Sequence, residues 1–256
     1  MSLQKIVLSA LSLATVMCIG FASVQAADTA PASDQAASAQ KSVKAAALTK
    51  DEINTMIHDY IMNNPQVLMQ SVEEYQKKSV EDRAAQASKD VNSPEAGNPK
   101  GDVTVVEFFD YNCHYCKGAF PAVQSLIEKD KKVRVVFKEF PILGPTSGTA
   151  AKWALAAQKQ KKYFEFHAAM MNNKEPISDE LLARVAKNVG MDVDKAKEYV
   201  ASPDAMIEIT KNRKLAEQLD LNGTPAFIIG GNISRGAISE EEMESQISVI
   251  RAGKDK

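Results

Sequence analysis

Cysteine and histidine are scarce in this chain, with three of each among 256 residues. A structural zinc site takes four nitrogen or sulfur ligands. Cys113 and Cys116 form one close pair and no second metal-like pair accompanies them, so no metal site is expected. Charge of one sign is also lacking. The 31 Lys and Arg nearly balance the 33 Asp and Glu, for a formal net charge of −2. That leaves no basic field, and nucleic acid is not an expected partner. After the first 26 residues no apolar run is long enough to cross a bilayer. No internal repeat of fixed period occurs. What remains is 45% hydrophobic and 25% charged, an ordinary globular balance, with room for one domain and an accessory segment.

The chain opens differently. Residues 1–26 carry one charge, Lys5, before an almost unbroken apolar run from Ile6 to Val24. Val24-Gln25-Ala26 then sets small residues where a signal peptidase cuts, so a cleaved secretory signal peptide is expected. An uncleaved anchor is the rival reading, but a polar stretch follows and not a basic stop-transfer patch. Met17 is bulky where a lipid-acceptor cysteine, here Cys18, would need a small neighbour. Cleavage leaves two cysteines, both in one C-x-x-C, in an oxidising compartment.

Residues 27–47, rich in Ala, Ser, Gln and Asp, read as a flexible linker. A helical segment is expected over 48–92. Thr49 and Glu52 form a capping box, and Ile53, Met56, Ile57, Tyr60 and Ile61 follow at helical spacing. Asn64-Pro65 starts a second helix, with Asn64 as its cap, and Leu68, Val72 and Tyr75 lie on one stripe. Two such helices are too few to bury these stripes by themselves. They either pack onto the main domain or pair with another subunit.

The main domain is expected over 98–256. Val103–Phe109 and Val133–Phe140 read as buried strands, and Lys117–Lys129 as a helix with Pro121 inside it. A helical block runs through about 145–222. After Gly223-Thr224-Pro225 come the strand Ala226–Ile229, a turn toward Ile233, and a closing helix capped by Ser239.

Cys113-His114-Tyr115-Cys116 lies where a strand meets a helix. At that position unpaired amides and the helix dipole stabilise the first thiolate. Cys113 is therefore the expected nucleophile, and Cys116, one turn on, the resolving thiol. His114 would add positive charge beside Cys113 and lower its pKa further. A disulfide closing so short a loop removes little chain entropy, which argues against a purely structural bridge.

Val106-Glu107-Phe108-Phe109-Asp110-Tyr111-Asn112-Cys113-His114-Tyr115-Cys116-Lys117 resembles the active-site strand and helix start of DsbA-like thiol–disulfide oxidoreductases. Gly223-Thr224-Pro225-Ala226-Phe227 resembles the cis-proline loop of the same thioredoxin superfamily. The resemblance covers about residues 98–256. The preceding helices look like the oligomerisation segment of the branch containing ScsC and the Com-type 27 kDa outer-membrane-associated proteins. It implies an α/β thioredoxin fold with a helical insertion, behind an N-terminal α-helical oligomerisation segment. It also implies a periplasmic enzyme, with possible outer-membrane association, that forms or isomerises disulfides in misfolded cysteine-containing proteins. Its cofactor would be none beyond the Cys113–Cys116 disulfide, and its redox partner a DsbB-like membrane oxidase or a DsbD-like reductase. Residue by residue, Glu107 matches the buried acid that relays protons for the resolving thiol, with Lys138 a candidate partner for it. Tyr115, Thr224 and Pro225 match the substrate-binding positions. Relatives often carry Gly where His114 stands, which bears on the potential and not on the reaction. The helices 48–92 would join two copies, or three as in one relative. The alternative from a different class is an envelope chaperone or metal-buffering protein in which the cysteine pair is incidental.

Overall fold

The computed structural model describes residues 48–254. The expected signal peptide, 1–26, and linker, 27–47, lie outside the described residues. Among those described, no helix is long and apolar enough to cross a membrane. The chain divides into two units between Ile53 and Asn54. The described part of the first holds the start of α1 (Lys50–Asn63). There the Thr49 amide donates to Glu52 Oε2 at 2.9 Å and the Glu52 amide to Thr49 Oγ1 at 3.3 Å, the reciprocal capping box.

The second unit begins with the rest of α1 and continues into α2 (Pro65–Lys89). Asn64 does not cap α2. Its side-chain amide turns back to the Tyr60 carbonyl and closes α1 instead, leaving Pro65 to open α2. No residue of α1 is buried. The two expected roles for these helices divide along α2. Leu68, Val72 and Tyr75 stand exposed, whereas Val80, Ala84 and Ala87 pack against the main domain.

The chain then runs β1 (Glu95–Gly97), β2 (Val103–Phe109), α3 (His114–Lys129), β3 (Val133–Glu139), α4 (Pro145–Lys159), α5 (Tyr163–Met171), α6 (Asp179–Asn188) and α7 (Val193–Ala201). A 3-10 turn, Pro203–Met206, leads into α8 (Ile207–Gln218), β4 (Ala226–Ile229), β5 (Asn232–Arg235) and α9 (Glu240–Lys254). The sheet order is β1-β3-β2-β4-β5, with β2 and β3 parallel and every other pair antiparallel. This is the expected thioredoxin fold with a helical insertion, Pro145 to Gln218, between β3 and β4. β1 was not foreseen. It pairs with β3 over Glu95–Gly97, so the sheet includes chain that lies between the expected helical segment ending at 92 and the domain expected from 98.

Strand alternation gives the sheet two buried faces. Val103, Val105, Phe109, Val133, Val135 and Phe137 pack against α3, α4, α5 and α9. Val106, Phe108 and Val136 face the other way, toward the end of α2 and α8. Covering β2 and β3 on both sides accounts for their nearly continuous apolar sequences.

Candidate functional site

β2 delivers the chain to Asp110, and a turn of three residues brings Cys113 to the start of α3. Cys113 is the N-cap: its Sγ accepts the Cys116 amide at 3.1 Å. A sulfur in the capping position receives what a Ser or Asp oxygen normally would, and the unpaired amides of the first turn favour its negative form. Both cysteines are free thiols, buried in the larger apolar cluster.

Their environments push them apart. The hydrogen bond from Cys116 lowers the Cys113 thiol, burial opposes it, and Thr224 with the Cys116 and Tyr115 amides lowers it further, to about 6. Burial and the neighbouring Cys113 drive the Cys116 thiol far upward. One sulfur is thus a thiolate near neutral pH, and the other holds its proton. The Cys116 thiol first, then Thr224 and the local amides, supply the lowering at Cys113, and His114 is not among these causes. The His114 ring is exposed and lies 5.9 Å from the equally exposed Tyr115 ring.

The loop before β4 reaches the same point. The Thr224–Pro225 bond is cis, and the Cys113 thiol donates to the Thr224 carbonyl at 3.2 Å. The Pro225 carbonyl is occupied by the Gly236 amide. A depression of about 310 Å³ opens beside this loop, lined by residues 220–225 with Arg235 and Gly236.

Glu107 sits on the cysteine side of β2, fully enclosed, with no hydrogen-bond partner for either carboxylate oxygen. Burial raises its carboxyl to about 8, with the charge of Cys113 adding to the effect. Lys138 does not pair with it. Glu107 is in register with Phe137, so Lys138, one residue on, points to the opposite face. There its ammonium binds Asp90 and Ser93. The structure therefore gathers Cys113, Cys116, Thr224, Pro225 and Glu107, leaves His114 and Tyr115 at the rim, and removes Lys138 from the site.

Two residues here were not among the expected site residues. His167 is buried among Phe109, Tyr111, Phe120, Phe137 and Tyr163, which lowers it to about 3, and Tyr111 meets its Nδ1 at 3.1 Å. Asp110, the acid just after β2, turns its carboxylate back on the active-site turn: Oδ1 accepts the Asn112 amide at 2.8 Å. An acid at a strand end two residues before an Asn is a recognisable Asx-turn signal, but its longer-range bonds leave no trace in the sequence.

Comparison with known proteins agrees with this geometry. The model of the DSBA-like thioredoxin domain family matches residues 104–248, and that of the copper resistance protein ScsC N-terminal domain matches residues 50–81. A thioredoxin-like oxidoreductase from Silicibacter pomeroyi is 39% identical, covering 65% of this chain and 96% of that one, at a TM-score of 0.63. The thiol-disulfide exchange protein α-DsbA2 of Wolbachia pipientis is 30% identical over 70% and 98% of the two chains, at 0.64. A linker-deleted ScsC from Proteus mirabilis is 25% identical over 82% and 99%, at 0.63. Among curated relatives, a Na⁺/H⁺ antiporter NhaA of Salinispora tropica is 29% identical over 59% of this chain, and the chain spans about a quarter (24%) of that protein's length. The thiol:disulfide interchange protein DsbA of Bordetella parapertussis is 27% identical over 58% of this chain and 73% of its own.

Proposed function

Because this chain belongs to the DSBA-like thioredoxin domain family, we propose that it is a protein thiol–disulfide oxidoreductase working through Cys113 and Cys116. The carrying observation is the divergence of the two thiols, Cys113 lowered to about 6 at a helix start and Cys116 raised behind it. In the oxidising direction a substrate thiolate attacks Cys113 Sγ of the Cys113–Cys116 disulfide. That bond breaks, its electron pair leaves on Cys116, and Cys116 takes up a proton. A second substrate thiolate attacks the substrate sulfur of the mixed disulfide, and Cys113 departs as a thiolate. Two electrons have then passed from substrate to protein. A low-pKa leaving group speeds that last step and favours the reduced protein. Run from the dithiol, the same steps reduce or isomerise a substrate disulfide.

Glu107 holds or returns the Cys116 proton, a role supported by its raised pKa and its lack of any other partner. Thr224 and Pro225 form the edge where an extended substrate docks by backbone pairing, with Tyr115 exposed beside it. The apolar run through 6–24 supports export to the periplasm, where a membrane thiol oxidase or reductase would reset the pair. The exposed stripes of α1 and α2, with the ScsC N-terminal match over 50–81, support a homo-oligomer joined through the leading helices. Several Cys113 sites in one assembly favour isomerisation of misfolded chains.

Substrate trapping tests the reading. Cys116→Ala should accumulate mixed disulfides with reduced, unfolded protein, and Cys113→Ala should accumulate few. Equal trapping by the two variants, or a wild type inactive in both insulin reduction and scrambled-ribonuclease refolding, would overturn it.

A further inference from the structure

The sheet face that carries Glu107 holds a second buried acid, which the thiol chemistry above does not use. Glu107 and Glu139 stand on adjacent strands and are diagonal neighbours: Phe137 pairs with Glu107, and Phe109 with Glu139. Glu139 Oε1 meets the Tyr163 hydroxyl at 2.8 Å and the Tyr111 hydroxyl at 3.2 Å, and Tyr111 meets His167 Nδ1 at 3.1 Å. All four side chains are buried. The other titratable groups packed around them are Glu107, the two thiols of α3, and Asp110, whose carboxylate takes the Asn112, Ile142 and Leu143 amides. The buried cations of β3, Arg134 and Lys138, are engaged on the opposite face.

These bonds fix where each hydrogen sits. An ionised Glu139 would accept from both hydroxyls. Burial raises its carboxyl well above the ordinary range, against the two hydroxyls and with Asp110 adding, and so keeps it neutral. A neutral carboxyl has a proton to donate. If Tyr163 received it, the Tyr163 hydrogen would be left without an acceptor. Tyr111 can receive it, because its own hydrogen has a second acceptor in His167 Nδ1. Burial lowers His167 to about 3, so the ring is neutral and carries a single hydrogen. With Nδ1 accepting, that hydrogen lies on Nε2. The chain therefore runs one way, from Glu139 through Tyr111 to His167, and it ends in an N–H with no partner.

The unsatisfied end shares its core with the unsatisfied acid. His167 Nε2 and both Glu107 oxygens are three of the four buried side-chain atoms without a hydrogen-bond partner among the described residues. The His167 ring centroid lies 4.5 Å from that of Phe137 and 4.7 Å from that of Phe109, the cross-strand partner of Glu107 and the next residue on its face. The charge of Glu107 also reaches Tyr111, where it adds to burial and to Glu139 in raising the phenol. We propose that His167 is a positioning residue for the Glu107 proton: Glu139, through Tyr111, fixes the Nε2–H tautomer, and that N–H dipole favours the carboxylate left when Glu107 protonates Cys116. In that step the Glu107 O–H bond breaks, a Cys116 S–H bond forms, and no electron changes hands. His167 keeps its own hydrogen throughout. This deepens the proposed function and rests on it.

Ring-nitrogen NMR shifts of the reduced, full-length protein read the tautomer, and His167→Phe identifies the signal among the three histidines. At neutral pH His167 should carry hydrogen on Nε2 and none on Nδ1. Tyr111→Phe cuts the chain and should leave both tautomers populated. Tyr163→Phe removes the shorter bond to Glu139 but not the chain, and should keep Nε2–H. The infrared carboxyl stretch of Glu107, assigned by its loss in Glu107→Gln, reads the proton itself. In the wild type it should titrate away at about pH 8. In His167→Phe the midpoint should rise by about one unit, a tenfold gain in proton affinity, and in Tyr111→Phe by less. Attack of Cys116 on a Cys113 mixed disulfide, which needs Glu107 as a base, should slow about tenfold at neutral pH by the same shift. Hydrogen on Nδ1 in the wild type, an unchanged tautomer in Tyr111→Phe, or an unmoved Glu107 midpoint in folded His167→Phe would overturn the positioning role alone. A reduced wild type that exchanges no disulfide with oxidised glutathione would overturn the functional reading, and this role with it.

Discussion

The two buried faces of the sheet treat charge in opposite ways. On the face toward α2 and α8, each cation has a partner. Arg134 bonds Glu95 and the Ser88 and Asp90 carbonyls near the end of α2, and Lys138 bonds Asp90 and Ser93. On the face toward α3, the two acids have no cation at all. Glu139 is held by the Tyr111 and Tyr163 hydroxyls at 3.2 and 2.8 Å, and burial raises its pKa. Glu107 has nothing. Burying an ion without compensation costs several kcal/mol, so the first face keeps its charges by pairing them and the second keeps its acids by protonating them. Paired charge fixes geometry; an unpaired acid near neutrality can exchange a proton. The contrast separates the face that holds the N-terminal helix from the face that does chemistry.

The largest effect expected from this contrast is on stability against pH, and it belongs to Glu107. Its folded pKa, about 8, lies above the unfolded value of 4.5, so the folded state keeps a proton that the unfolded chain releases. The stabilisation is complete below pH 4.5 and is lost as pH rises through 8. At 1.36 kcal/mol per pKa unit the loss is on the order of 5 kcal/mol. Glu107→Gln should flatten this slope in denaturant unfolding followed from pH 4.5 to 9. A Gln variant with the wild-type slope would break the contrast.

Next comes the paired face. Asp90→Ala strands a buried ammonium and should destabilise by about 3–5 kcal/mol, whereas the double change Asp90→Ala/Lys138→Met removes both charges and should recover most of it. Chemical denaturation at constant pH reads both. No recovery in the double variant would mean that Asp90 acts through its bonds to Asn92 and Ser93, and not through Lys138.

The smallest effect on folding should come from the exposed stripe. Leu68→Ser, Val72→Ser and Tyr75→Ser touch no buried contact, so each should change unfolding by about 0.5 kcal/mol or less. The triple variant should nonetheless shift light scattering from oligomer to monomer. A chain already monomeric at micromolar concentration would dispose of the shared-stripe idea.

Much of this was legible in the sequence where one residue type serves one purpose. The Cys pair, the Thr49–Glu52 box, the two valine-rich strands and the Thr224-Pro225 loop each carry their signal within a few residues. What was not legible depends on partners distant in sequence. Glu95-Ala96-Gly97 has no apolar alternation and is a strand because β3 offers a free edge. Ala84 and Ala87 look like neutral helix formers until α8 packs against them. Lys138 and Glu107 look like a pair until strand parity sets them on opposite faces. Asp110 lay within a recognisable motif, but its contacts with Ile142 and Leu143 span more than thirty residues of chain.

The split character of α2 has a mechanical consequence. Its final turns are clamped to the sheet by Arg134 and by the packing of Val80, Ala84 and Ala87, and the helix continues unbroken back to Pro65. The free stretch from Pro65 to Lys78, at 1.5 Å per residue, is a cantilever about 20 Å long. A cantilever transmits the orientation of its base to its tip. For any two copies that join through their tips, the spacing of the paired thiols would be read off a stiff ruler instead of a slack tether, and a glycine pair placed near Gln76 would turn the ruler into a hinge.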